Sequence, residues 1–239
     1  MSKANSEWAP RRFWKATTTE ATAEGWRVLL DGKPVLTPAR TPLVLPSAAV
    51  AAMAAREWDA QGERIDPASM PATRMANSAI DKVTPQHGAV TEIVAAYGGS
   101  DLLCYRASHP RELIERQQAW DAPLAWAETA LGAKLATTTG IMPMAQDPAV
   151  LAHLTAQVAA LSAFELAPFH DLVSLSGSLI LGFAAAQGAL SGEEAWRLSR
   201  IDEDYEAECW GQDDEAISFA AGRAADFHFA LEFLRAVRA

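Results

Sequence analysis

The chain has only two cysteines, Cys104 and Cys209, far apart and without Cys-x-x-Cys spacing. That excludes a disulfide framework, offers no zinc-ligand pattern, and fits a reducing compartment. Basic residues are scarce in the later part: residues 1–100 carry eleven basic and ten acidic groups, whereas 101–239 carry nine and twenty. Phosphate backbones are held by clustered Lys and Arg, so nucleic acid is not an expected partner. The five histidines, His87, His109, His153, His170 and His228, lack His-x-x-x-His and Glu-x-x-His spacing, and no metal is expected. His170-Asp171 reads as an ordinary helix-terminus interaction. Cofactor motifs are missing too. Gly177-Ser178-Leu179-Ile180-Leu181-Gly182 has neither the Lys-Ser/Thr of a phosphate loop nor the flanking glycines of a nucleophile elbow. Its small residues fit a close approach of a neighbouring helix.

Targeting and membrane signals are weak. Met1 to Trp8 has no apolar core of a signal peptide, and Glu7 argues against a transit peptide, so a cytoplasmic protein is expected, or a mitochondrial matrix protein if this is a processed eukaryotic form. Leu172 to Gly192 is free of charge and long enough to span a bilayer, but Ser174, Ser176, Ser178, Gln187 and four glycines dilute it. It is read as a buried central helix rather than a membrane insertion.

What is present is ordinary globular material: 239 residues, 50% hydrophobic and 21% charged, enough to bury the core of one domain or two. Phe13 to Thr19, Trp26 to Leu30 and Leu43 to Leu45 read as strands, rich in Thr, Val and aromatics, with Glu24-Gly25 and Asp31-Gly32 as turns. Such a meander needs a cover. A helix over Ala48 to Gln61, capped by Ser47 and stopped at Gly62, supplies one. Thr73 to Lys82 and Val90 to Tyr97 follow as shorter helices. Beyond His109-Pro110 five helices are expected: Glu112 to Leu131, Pro148 to Ala163, Pro168 to Gln187, Ser191 to Glu208 and Asp213 to Ala236. The fold class is therefore α+β, with a small N-terminal mixed α/β domain (1–75) holding an antiparallel meander, then a larger all-α helical bundle (76–239). The boundary falls within 62–110.

One stretch stands out. Eight carboxylates lie between Asp202 and Glu215 with no Lys or Arg among them, which marks a solvated face or a surface for a basic partner. Trp210-Gly211 inside it, an aromatic followed by a helix stop, argues for a folded and positioned segment, since an acidic tail would lack both. On a helix Ile201, Tyr205 and Cys209 share a face, leaving Asp202, Glu203, Glu206 and Glu208 on the sides and the solvent face. That spread does not favour a carboxylate-dependent hydrolase, which needs two converging acids. Eight tryptophans against three tyrosines supply large packing anchors, with any exposed ones marking an interaction surface.

A series of short signatures then falls in order: Arg12-Phe13-Trp14-Lys15, Leu30-Asp31-Gly32-Lys33-Pro34 with Thr37-Pro38, Glu57-Trp58-Asp59-Ala60-Gln61, and Met70-Pro71 with Thr73. They continue with Asp101-Leu102-Leu103, Tyr105-Arg106, Gln117, Trp120-Asp121 with Pro123, Gly177-Ser178-Leu179, Glu194-Ala195-Trp196, Asp202-Glu203, and Trp210-Gly211 with Glu215-Ala216. From about Arg12 to Leu234 the chain resembles the assembly chaperones that act on the alpha subunit of the ATP synthase soluble sector. One departure is Glu206, where the family often has Gln. The resemblance implies a two-domain protein that is not an enzyme and uses no cofactor. It would bind the unassembled alpha subunit and shield its beta-facing surface until the hexamer forms, and would be monomeric when free. The partner-binding residues it points to are Asp202, Glu203, Glu206, Trp210, Asp213, Asp214 and Glu215, with Glu203 foremost. A hydrolase using the carboxylate cluster and a helical adaptor with another protein client are the alternatives.

Overall fold

A computed structural model of the chain describes residues 11–140, 142, 144–211 and 213–239. The N-terminal stretch read for targeting, Met1 to Trp8, lies outside the described residues. The α+β character holds: a small strand region comes first and a larger helical part follows. The chain divides into two compact units. One is the chain up to Gln86 with Ala163–Ala167 and Phe233–Ala239, the other His87–Ser162 with Pro168–Glu232.

The first unit is built on an antiparallel sheet of β1 (Thr17–Thr22), β2 (Gly25–Leu30), β3 (Lys33–Pro34) and β4 (Val44–Leu45). β1 pairs along the whole of β2, while β3 and β4 pair with the two ends of β2. The Asp31-Gly32 turn forms as expected: both residues have positive φ, 48° and 78°, as a two-residue turn joining right-twisted strands requires. The Asp31 carboxylate also accepts the N–H groups of Ala16 (2.9 Å) and Lys15 (3.1 Å), which hold its carboxyl below the usual carboxylate range. The first strand consequently starts at Thr17, not at Phe13. Trp14 is buried and Phe13 is exposed.

The cover is α1 (Ala48–Asp59), capped by the Ser47 hydroxyl, which accepts from Val50 N–H at 3.1 Å. Its buried Val50, Ala51, Met53 and Ala54 meet a sheet face that buries Val28, Leu30 and Leu45. α2 (Pro71–Ser78) begins without a cap of its own and borrows one from α1. The Glu57 carboxylate accepts from Ala72 N–H, from Thr73 N–H (2.8 Å) and from the Thr73 hydroxyl (2.7 Å). Glu57→Ala leaves these donors unpaired and is expected to destabilise this unit by about 1–2 kcal/mol in denaturant unfolding, whereas a surface change such as Glu20→Ala stays within about 0.5 kcal/mol.

In the second unit α3 (His87–Ala95) precedes the short strand β5 (Tyr105–Arg106), then α4 (Arg111–Gln117) and α5 (Asp121–Ala130), with β6 (Thr138–Thr139) pairing parallel to β5. There follow α6 (Pro148–Ala159), α7 (Ala163–Ser176), α8 (Leu179–Ala186), α9 (Gly192–Ser199), α10 (Ile201–Trp210) and α11 (Asp214–Arg238). α7 and α11 supply residues to both units. Three helices expected as single are each two. A 3-10 turn at Gln118–Trp120 divides the first of them into α4 and α5. Gly177 at φ 70° separates α7 from α8, and Arg200 (φ −104°, ψ 2°) separates α9 from α10.

The buried central helix is accordingly the short α8, every residue of which from Leu179 to Ala185 is buried. Among the described residues no helix is long and apolar enough to cross a membrane. A Cβ at Gly182 would come within 2.7 Å of Val173 on α7, which is the close approach its small size permits. Asp101 fixes the start of α8. Fully buried, its carboxylate accepts from Leu103 N–H (3.0 Å), the Ser178 hydroxyl (2.7 Å) and Ile180 N–H (3.0 Å), while Ser178 caps Leu181 N–H. Burial pushes the Asp101 carboxyl up to about 6 against the opposing pull of these bonds.

Candidate functional site

Every large helix of a folded unit buries one face, and α10 with the first half of α11 departs from that rule. From Asp202 to Asp226 no described residue is buried. The core stripe of α11 begins only at Phe227 and continues through Ala230 and Leu231. Large apolar groups are nonetheless placed in the uncovered stretch: Trp210 is 87% exposed, Phe219 68% and Ile217 51%. Large apolar groups facing water within one segment make this stretch the candidate interaction surface.

Helix-end chemistry explains much of the acidity. Asp202, Glu203 and Asp204 occupy the first turn of α10, and Asp214 and Glu215 that of α11, where the helix dipole favours negative charge. Asp213 accepts from Ala216 N–H at 2.7 Å and so caps α11. α10 ends at Trp210, with Gly211 at φ 80° taking the left-handed stop position and donating to the Ala207 carbonyl at 2.8 Å.

Several of the acids are engaged within the chain. Half-buried Asp202 accepts from the Gln117 amide at 2.7 Å, and Gln117 is itself held by its carbonyl oxygen on Ala107 N–H at 2.7 Å. Glu203 pairs with Arg200 at 2.8 Å. Glu208 takes both ends of Arg116 at 2.9 and 2.6 Å, and Arg116 also bonds Glu112 and lies over the Tyr205 ring. The Arg116 bonds hold the Glu208 carboxyl below its usual range. Among the described residues Asp204, Glu206, Asp214 and Glu215 have no such partner, so these four present charge to solvent. Asp202, Glu203 and Glu208 each answer to a different side chain and do not converge on one another. Among the described residues no group of three or more His, Cys, Asp or Glu is arranged to hold a metal ion.

The structure thus brings Trp210 and the acids of both helix starts onto one uncovered segment. Sequence reading missed Ile217 and Phe219. The signal was available: the residues preceding Phe227 on its face of α11 are the small Ala216, Ala220 and Ala224, so Ile217 and Phe219 fall outside the core stripe. Of the other tryptophans, Trp14 and Trp120 are buried, Trp120 donating its indole N–H to the Leu198 carbonyl at 2.8 Å.

Known proteins resemble this chain over nearly its whole length. Residues 11–128 match the family described as ATP12 chaperone protein. The crystal structure of Atp12 from Paracoccus denitrificans superposes with a TM-score of 0.92 at 48% identity, covering 95% of this chain and 98% of that one. The Atu1473 protein of Agrobacterium tumefaciens gives 0.90 at 42% identity, covering 95% and 86%. The mitochondrial protein atp12 of Schizosaccharomyces pombe is 25% identical over 225 residues, 86% of this chain and 75% of that protein.

Proposed function

We propose the function that follows from family and surface together: the chain belongs to the ATP12 chaperone family, and it acts as an assembly chaperone of the proton-translocating ATP synthase. Its client in this reading is the unassembled alpha subunit of the soluble sector, whose beta-facing surface it covers until the hexamer forms. It does so without catalysis, as a monomer in the cytoplasm or the mitochondrial matrix. The observation that carries the reading is the uncovered segment from Asp202 to Asp226, with Trp210, Ile217 and Phe219 exposed among outward-facing acids. A subunit awaiting assembly exposes apolar surface that aggregates, and reversible cover by a partner lowers the exposed population. Outward acids speed encounter with a basic surface, and the aromatics supply contact energy. Asp202, Glu203, Glu206, Trp210, Asp213, Asp214 and Glu215 make up the proposed contact. Within that set Glu206, Asp214 and Glu215 are the acids free to meet a client cation, while Glu203 is already paired with Arg200.

Co-expression with the separate alpha and beta subunits tests this. Alpha is expected to co-purify with the chain and to remain soluble in its presence, and beta is not. Retention of beta instead, or of neither, overturns the assignment.

A further inference from the structure

We infer that one face of α11, centred on Gly222, is a seat for a client helix whose apolar stripe is bordered by Lys or Arg at both ends. This rests on the reading above and names the part of the client that is recognised. Glu215, Ser218, Phe219, Gly222, Arg223 and Asp226 line an open groove of about 450 Å³ along that face. Their spacing is that of one helix surface over three turns, the geometry that accepts a second helix lying along it.

Gly222 is the informative residue. A glycine inside an exposed helix weakens it relative to alanine. Nothing among the described residues requires this one, because a Cβ built there meets none of their atoms within 4 Å and no positive φ is involved. The open space it leaves sits between the Phe219 ring and Asp226, where a bulky side chain would stand in the groove. An absent side chain that serves no internal contact lets a neighbouring backbone approach closely.

The chemistry at the groove's two ends identifies the occupant. Glu215 and Asp226 are eleven residues apart, roughly 16 Å along the helix at 1.5 Å per residue, and neither has an ion-pair partner among the described residues. The Arg223 guanidinium keeps its positive charge but is drawn to α7, where it donates to the Leu175 carbonyl at 2.8 Å, and it lies 6.0 Å from the centre of the Phe219 ring. An acidic group at each end of a sterically open middle, with the Phe219 ring as its apolar contact, complements a helix with a cation at each end and small or apolar residues between.

The test uses the full chain with Gly222→Leu and Gly222→Ala, measured against purified alpha subunit. Both substitutions favour the helix, so Tm is expected to rise by about 2–4 °C rather than fall, which separates blocked binding from misfolding. Gly222→Leu is expected to weaken alpha binding at least roughly tenfold and Gly222→Ala less. The double change Glu215→Gln/Asp226→Gln is expected to flatten the salt dependence of binding. Wild-type binding to alpha with undiminished binding by Gly222→Leu overturns the groove while leaving the client assignment standing. No binding of alpha by the wild type overturns both. Self-association of the wild type that Gly222→Leu abolishes, with alpha binding intact, makes a second copy of this chain the occupant and overturns the client helix.

Discussion

Asp101→Ala is expected to destabilise the second unit by about 3–5 kcal/mol, because it leaves three buried donors without an acceptor. The carboxylate is fully buried and is the shared acceptor for Leu103 N–H, Ile180 N–H and the Ser178 hydroxyl, so its removal strands donors that water cannot reach. It also detaches the turn at 101–104 from the start of the helix whose residues are buried on all sides. Asp101→Asn is the more searching variant, because it keeps the shape but turns one acceptor into an NH₂ group facing donors. The pH dependence has a definite sign. Burial raises the folded-state carboxyl to about 6 from an ordinary value of 3.8, so the folded chain binds this proton more tightly than the unfolded chain does. The associated stability is present below the unfolded value and is lost as pH rises through about 6. Between pH 8 and pH 5 the wild type therefore gains about 1.4 kcal/mol from this group. Asp101→Asn cannot titrate, so its deficit relative to wild type should be larger at pH 5 than at pH 8 in denaturant unfolding. A deficit that does not change with pH would refute the assignment.

The same residue shows why part of the fold was legible and part was not. Local chemistry was readable: Asp31-Gly32 announces its turn because few residues besides glycine, aspartate and asparagine tolerate left-handed backbone, and Ser47 announces a helix start that forms with that cap. The division of Pro168 to Gln187 was hidden. Gly177-Ser178 is compatible with a continuous helix, and the left-handed turn at Gly177 is secured by Asp101, seventy-seven positions away, which bonds the Ser178 hydroxyl and Ile180 N–H. The break at Arg200 involves neither glycine nor proline. Arg200 instead reaches forward to Glu203 and lies over the Trp196 ring, contacts that a periodicity argument does not contain. At the candidate surface, composition marked the acids as a cluster. Their sorting into engaged and outward-facing groups depends on Gln117 and Arg116, which come from a distant stretch of chain.

Trp210→Ala is expected to weaken binding to the alpha subunit by roughly 30-fold or more, chiefly through faster dissociation. At 87% exposure on the last turn of α10, Trp210 contributes little to its own fold, so its removal should leave stability within about 0.5 kcal/mol. A large effect on binding cannot then be attributed to unfolding. Among interface residues a tryptophan offers the largest apolar area at small entropic loss, and Gly211 fixes where its helix stops and hence where the ring stands. Charge should behave differently. Glu206→Lys inverts an outward-facing acid with no internal partner, so it should slow association and weaken its response to salt while leaving dissociation nearly unchanged. Measuring both rates for both variants separates anchor from attractor. Equal rates for wild type and Trp210→Ala would remove this end of α10 from the client surface and leave the groove of α11 to carry the contact.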